Sequence, residues 1–331
     1  MLSALLSVKS KAYGFIFSRT FIGEVLTGLH SMWLHLRYSF NDRNPDTEQE
    51  RLEYYLVKHC HIIEKGLALP SPRKGFGQPK IADLIKRTQE YEQQNPDSLV
   101  GEMVRDTLRE YLAFHANDLQ ILPMELLRSM TLFVGNNPSK LKGGLKVLNK
   151  PEMMTYGGES FEKFLSCRHS VRNFSDTPVE DDAIRRALKI SQHTPSVCNR
   201  QGWKVHYYND RNKIRQLLSF QNGNSGFTEQ VDKLLIVTGS TKAFTRYEHN
   251  QLFIDGGLYA MNLMLALHSL GLGSCPLNTC MSWLKAGSLK QTAGIPRHEQ
   301  LIMMIAVGNL LDEFRVAKSH KYPVDKILKL H

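Results

Sequence analysis

Two short runs of continuous apolar residues, Lys233–Thr238 (KLLIVT) and Leu301–Val307 (LIMMIAV), constrain this 331-residue chain more than any other feature. Runs of this length, rich in Leu, Ile and Val and without polar alternation, describe interior strands covered on both faces. The covering layers are predicted nearby. A helix at Glu180–Ser191 aligns Ile184, Ala187, Leu188 and Ser191 on one stripe, and a longer one at Gln251–Leu270 is apolar on most faces and closed by Gly271. Asp255, Asn262 and His268 interrupt the longer helix, which makes it a buried core helix and no membrane span. Trp203–Tyr208 has the character of a further strand.

The first half of the chain reads differently. Leu52, Tyr55, Leu56 and His59 recur at helical spacing within Glu48–Lys65, with Gly66 at the stop, and two more helices are expected at Ile81–Gln93 and Leu99–His115. The turn-rich stretch LPSPRKGFGQPK and the break Asn95-Pro96-Asp97 separate them. Asn136–Gly158 is loop-like, and a domain boundary is placed there, near Tyr156. The chain thus divides into a mainly helical N-terminal region, 1–155, and a mixed α+β domain, 156–331. His61 and Glu64 share a helix face at a spacing that can ligate a metal, yet no second HxxE or carboxylate cluster supplies further ligands. An ion-pair or capping role is expected instead, and no metal. Gly75-Phe76-Gly77 is too short for a dinucleotide fingerprint and no strand precedes it.

The formal net charge of +10 favours anionic partners such as a phosphorylated cofactor. No dense Lys/Arg block or nucleic-acid motif accompanies it, so nucleic-acid binding is not expected. Cys60, Cys167, Cys198, Cys275 and Cys280 are odd in number and scattered, which argues for reduced thiols in a cytoplasmic protein over a disulfide framework. No apolar run approaches the roughly 20 residues that span a bilayer. Tyr13–Phe40 mixes aromatic and aliphatic residues with sparse basic ones. It reads first as a core helix and, alternatively, as a helix lying peripherally on a membrane surface.

Two segments carry candidate chemistry. In CRHSVRNF (167–174), an extended chain would project Arg168, Ser170 and Arg172 on one face, and two guanidinium forks around a hydroxyl suit a phosphate. A solvated basic edge would read the same way. Thr194–Trp203 (TPSVCNRQGW) offers a rigid turn, a hydroxyl, two amides and an aromatic ring, a set suited to a planar heterocycle with alternating donors and acceptors. A polar loop with Trp203 anchoring a strand is the plainer alternative.

The order RHSVRNF, helix, PSVCNRQGW, strand resembles the opening of the nitroreductase family of FMN flavoproteins. The helix ending in NLMLALHSLGLG, the SCPLN that follows, the strand IAVGN and the tail VAKSHKYP extend the resemblance over about half the chain. It implies an α+β nitroreductase-like fold: a central mixed, mostly antiparallel sheet flanked by helices. It further implies that Arg168, Ser170, Lys318 and His320 hold the FMN phosphate, with Arg172 near the ribityl chain or pyrimidine edge. Pro195, Ser196, Asn199 and Gln201 would line the ring, and Pro276, Leu277 and Asn278 would pass beside it. No protein side chain is implied as catalytic, because the flavin carries hydride from NAD(P)H, a co-substrate, to an oxidised substrate by a ping-pong mechanism. The family builds its site between two subunits, so a homodimer is implied, and the cradle and the Pro195–Gln201 loop are expected to converge around one FMN.

Three departures stand out. Gly202 occupies a place where the family often has Pro, and His320 one where Arg is common, with Lys321 adjacent. The family's Asn and Lys after the first strand have no counterpart in Phe227–Val231, though Asn222 or Asn224 is a candidate for part of that role. The run His-Ile-Ile-Glu-Lys-Gly-Leu (61–67) with PRKGFGQPK resembles an N-terminal extension on nitroreductase-like proteins of polysaccharide-biosynthesis loci. A catalytically weak scaffold or regulatory partner of a membrane-associated polysaccharide system is therefore the competing function.

Overall fold

The computed structural model describes residues 21–41, 48–69, 71–96, 98–135, 140, 142–146, 158–317, 321 and 323–331. The expected boundary near Tyr156, the residues Lys318 and His320 and the first part of Tyr13–Phe40 lie outside them.

The helices α1 (Phe21–Tyr38), α2 (Gln49–Leu67), α3 (Gln78–Glu92), α4 (Leu99–Phe114) and α5 (Met124–Val134) form the N-terminal region. After α6 (Glu159–Cys167) and α7 (Asp181–Ser191) come β1 (Trp203–Tyr208), α8 (Arg211–Leu218), β2 (Lys233–Ser240), α9 (Gln251–Ser269), β3 (Leu272–Leu277), α10 (Trp283–Ala293) and β4 (Glu299–Asn309). The sheet has the order β1-β2-β4-β3, and all its ladders are antiparallel. Parallel pairing among the described residues is confined to the isolated bridges Phe40–Thr245 and Ser170–Ser274. The mixed α+β architecture is the expected one.

The apolar runs do what their lack of alternation requires. Leu234 and Ile236 of β2, with Met304 and Ala306 of β4, pack on one face against Ile214 and Leu217 of α8 and Leu289 of α10. Leu235, Val237, Ile305 and Val307 pack on the other against Ile184 and Ala187 of α7 and Tyr259 and Leu263 of α9. With a side-chain period of two, a continuous apolar strand must be covered twice, and here it is.

A third core joins the two halves. Leu56, Ile63, Leu84 and Leu108 of α2, α3 and α4 cluster with Phe40, Ala243, Phe244 and Leu252, so the helical region packs directly on the turns flanking β2 and α9. Gly66 does not stop α2, which continues to Leu67. A Cβ there would stand 2.2 Å from the ring of Phe76, so its small size serves a close approach between helix and connector. His61 pairs with Glu64 at 3.1 Å, and Glu64 also accepts from the Gly144 backbone at 3.0 Å. Among the described residues no group of His, Cys, Asp or Glu could hold a metal ion, and the five cysteines are free.

Of Tyr13–Phe40, the described helix α1 is buried along one side only. Leu34 and His35 are buried, whereas Ile22, Val25, Leu29, Trp33 and Leu36 are exposed. No helix among the described residues is long and apolar enough to cross a membrane.

Candidate functional site

The segment after α6 is stitched to the end of the sheet. Ser170 bridges Ser274 of β3, the Val171 N–H donates to the Ser274 carbonyl at 3.0 Å, and the Ser175 N–H donates to the Asn309 carbonyl at 2.9 Å. Phe174 is buried over Gly273 and Gly308, where a Cβ would meet its ring at 3.1 Å and 2.6 Å. Two glycines on neighbouring strands thus make the slot that fixes this segment, and the fixed segment presents Arg168, Ser170 and Arg172.

These three residues line a cleft of about 240 Å³ together with His169, Ala317 and Lys321. Among the described residues, no carboxylate contributes to its walls. One nitrogen of Arg168, Nη1, is buried and has no hydrogen-bond partner. A buried, unpaired guanidinium N–H costs free energy, and a lining that gathers Arg168, Arg172 and Lys321 favours an anion. The field of the cluster is felt nearby: burial, then Arg168 and His169, hold the His268 imidazole below its ordinary pKa. Burial raises the Cys275 thiol, and the guanidinium of Arg172 partly opposes that rise. The tail therefore does return to the RHSVRNF segment, through Ala317 and Lys321.

The second predicted segment is held in an unusual shape. Cys198, Asn199 and Gln201 have φ of 48°, 52° and 50°, in the left-handed region that favours Gly and tolerates Asn. Such a loop persists only when its surroundings over-determine it. The Val197 N–H donates to the Asp255 carboxylate at 3.1 Å, and the Gln201 N–H to the Ser196 hydroxyl at 3.0 Å. Arg200, fully buried, makes a two-pronged pair with Glu248 at 2.8 and 2.7 Å and lies against the rings of Phe40 and Phe244. With the backbone so held, Pro195, Asn199 and Gln201 are exposed and Ser196 is half-buried.

Gly202 is explained by the same packing. A Cβ at this position would stand 2.6 Å from the Ala243 Cβ and 3.0 Å from the Phe244 ring. Replacing it with Ala should destabilise the chain by about 1–3 kcal/mol, the usual cost of overpacking. A urea midpoint within error of wild type would contradict this.

Pro276 and Leu277 lie in β3, an edge strand. Asn278 follows, its carbonyl accepting from the Gln221 side chain at 3.0 Å. Asn222 is exposed; Asn224 is buried, donates to the Thr228 hydroxyl at 2.7 Å and keeps an unpartnered Oδ1.

Within one chain the Arg168 cleft and the Pro195–Gln201 loop stand apart. None of the Pro195–Gln201 residues lines the Arg168 cleft. The loop meets α9 at Asp255, whereas α6 meets it at His268, whose ring lies 4.8 Å from that of Phe164. At 1.5 Å per residue those points are roughly 20 Å apart along the helix. The strand order explains it: the loop enters β1 at one edge, and the cradle is attached to β3 at the other. Sequence reasoning also missed Arg200 and Glu248 as the loop's anchors. Asp255 did leave a signal, as a carboxylate in an otherwise apolar helix.

Residues 165–224 and 216–309 match the Nitroreductase family. A protein of Archaeoglobus fulgidus named "Putative NADH dehydrogenase/NAD(P)H nitroreductase" is 25% identical over 152 residues, which cover 46% of this chain and 86% of that protein. Among solved structures, a nitroreductase family protein of Streptococcus pneumoniae aligns with a TM-score of 0.45 and 21% identity, over 52% of this chain and 100% of its own. An FMN-dependent nitroreductase of Clostridium difficile gives 0.41 and 20%, over 47% and 91%. A Desulfovibrio desulfuricans protein crystallised in complex with FMN gives 0.46 and 20%, over 53% and 98%. Residues 165–309, from the end of α6 to the end of β4, are thus the part of this chain that is similar to the Nitroreductase family.

Proposed function

We propose that the chain is an FMN-dependent oxidoreductase that takes hydride from NAD(P)H and passes it to an oxidised small molecule, in two half-reactions at one site. The observation that carries this reading is a cleft in which Arg168, Ser170, Arg172 and Lys321 come together with no carboxylate among its described lining residues. Those groups suit a phosphate monoester, and the flavin, once bound, supplies the hydride chemistry.

The chain's own part is placement and charge. Arg168, Ser170 and Lys321 bind the phosphate; Lys318 and His320 belong to the same proposed set. Arg172, which lines the same cleft, would supply positive charge near the pyrimidine edge, where a reduced flavin would be anionic, a case of electrostatic preorganisation. Pro276, Leu277 and Asn278 run along β3 from the cradle and would border the ring. The NAD(P)H part of the reading is also supported by the printed name of the Archaeoglobus fulgidus relative.

The loop Pro195–Gln201 meets α9 roughly 20 Å along the helix from the cradle end, which supports a site shared between two copies of the chain. An apolar face supports that homodimer: Ile254, Leu258 and Met261 recur at helical spacing on α9 and are exposed, as are Phe161 and Leu165 of α6. Such a face lies between the cradle end and the loop end of α9. The test replaces Leu258 by Glu and follows two quantities in the purified protein, mass by sedimentation and FMN content after denaturation. We expect the parent protein to be a yellow dimer that oxidises NAD(P)H when given a quinone. The variant should be a monomer with at least tenfold weaker FMN binding. A monomeric parent that retains FMN at stoichiometry would overturn the shared site.

A further inference from the structure

A second cleft lies where α1 crosses α10, and it shares no lining residue with the Arg168 cradle. Its two chambers, of about 150 and about 490 Å³, share His30, Leu34, Trp283, Gly287 and Lys290. Together they reach the size of ordinary small-molecule sites. α1 is docked there by specific contacts: the Trp283 N–H points at the Thr27 hydroxyl at 3.4 Å, and a ring nitrogen of His35 bonds the Thr245 carbonyl at 3.0 Å. The rings of His30 and Trp283 sit 5.1 Å apart within the cleft, tilted by 38°.

Its polar lining is one-sided. Lys290 is buried, and its ammonium donates to the carbonyls of Arg297 at 3.1 Å and Glu299 at 2.9 Å. Arg297 lines the outer chamber and makes no ion pair among the described residues. Among the described residues, no Asp or Glu lines either chamber. The Glu299 carboxylate, the nearest acid to Lys290, is committed to His206 at 2.6 Å and to the Thr238 hydroxyl. The side-chain nitrogen of Gln300, in the wall of the inner chamber, is buried without a hydrogen-bond partner. Burial brings the Lys290 ammonium down to about 8, with Arg297 adding to the effect, so it stays cationic at neutral pH. Burial and then the charges of Lys290 and Arg297 hold His30 below its ordinary range, which places the three basic groups within reach of one another.

We propose that the cleft between α1 and α10 is a binding site for a planar aromatic carboxylate, with its ring against His30 and Trp283 and its charge toward Lys290, Arg297 and Gln300. Two of the three Lys290 donors are used on carbonyls. The one that remains, with the Gln300 amide, matches the two oxygens of a carboxylate better than the fuller acceptor set of a phosphate. Indole and imidazole faces favour a flat ring, and a basic lining without acids disfavours neutral or cationic analogues. This site is independent of the flavin reading, although Thr279 brings its inner wall to the residue next to Asn278.

The test is calorimetric titration of the full chain, without NAD(P)H, using 4-nitrobenzoate and its uncharged methyl ester. We expect saturable binding of the acid at one site per chain, at least tenfold tighter than the ester. Arg297→Gln, on the exposed rim, should weaken the acid at least fivefold and leave the ester unchanged; Trp283→Leu should weaken both. The Arg168→Ala, Ser170→Ala variant should bind the acid like the parent, so the cleft can be confirmed even if the flavin reading fails. Equal affinity for acid and ester, an unchanged acid affinity in Arg297→Gln, or loss of acid binding in the cradle variant would each overturn the proposal.

Discussion

The Arg168→Ala, Ser170→Ala double variant is expected to purify folded and colourless. Each removed group would have made a charge-assisted hydrogen bond to the cofactor phosphate, and such bonds contribute about 1.5–3 kcal/mol apiece. Losing both should weaken FMN binding by roughly two to four decades, since 1.4 kcal/mol is a factor of ten. Folding should survive, because neither side chain is part of a core cluster and the segment is held by Val171, Phe174 and Ser175 backbone and ring contacts. Removing Arg168 even relieves a buried nitrogen that has no partner in the unliganded chain. FMN released on denaturation, together with a thermal melt, checks both halves of the expectation. Stoichiometric flavin in the double variant would place the phosphate elsewhere.

The pair Arg200–Glu248 should give the largest loss of stability. Arg200 has a side chain with 0% exposure, and Glu248 is its ion-pair partner, so Glu248→Ala leaves a buried guanidinium without its paired carboxylate. Breaking a buried pair in this way costs about 3–5 kcal/mol. The pH dependence gives a second, independent route to the same interaction. Burial by itself would raise the Glu248 carboxyl, but hydrogen bonds from Arg200 and the Thr245 backbone outweigh it and bring the group down to about 2. A carboxyl depressed in the folded chain contributes stability at pH values above its unfolded pKa of 4.5, loses it as pH falls from there, and has lost it below about 2. The amount is up to about 3 kcal/mol, reduced by solvent screening because 23% of the Glu248 side chain is exposed. Urea unfolding between pH 2 and 5 should therefore show a steeper acid loss in the parent than in Glu248→Ala. Parallel curves would mean that the pair contributes little.

That second variant also probes function, because the pair holds the strained turn of Pro195–Gln201. If the loop needs Arg200 to keep Cys198, Asn199 and Gln201 at positive φ, its ring-facing residues should be misplaced before the domain unfolds. Arg200 acts here as a positioning residue.

What could be read from the sequence divides along a physical line. Local pattern was sufficient for Trp203–Tyr208, whose bounds are those expected, and for β2, β4 and α9, whose apolar residues leave one way to be buried. Pattern failed for β3. Leu272–Leu277 contains Gly273, Ser274 and Pro276, poor strand formers that are tolerated because β3 is an edge strand, one of whose sides needs no ladder partner. It failed for α10 as well, where Gly287 and scattered polar residues blur any helical stripe.

The same division runs through the site. Arg168, Ser170 and Arg172 were legible because alternation in a short extended segment already puts them on one face. The sequence by itself thus determined the layered α+β domain and the grouping of Arg168, Ser170 and Arg172 on one segment. Only the tertiary structure decided that Phe174 would seat that cradle on Gly273 and Gly308, that Arg200 would be buried against Glu248 forty-eight positions away, and that cradle and loop would stand at opposite edges of one sheet. Strand order and long-range pairing are properties of how elements pack, and no local spacing encodes them.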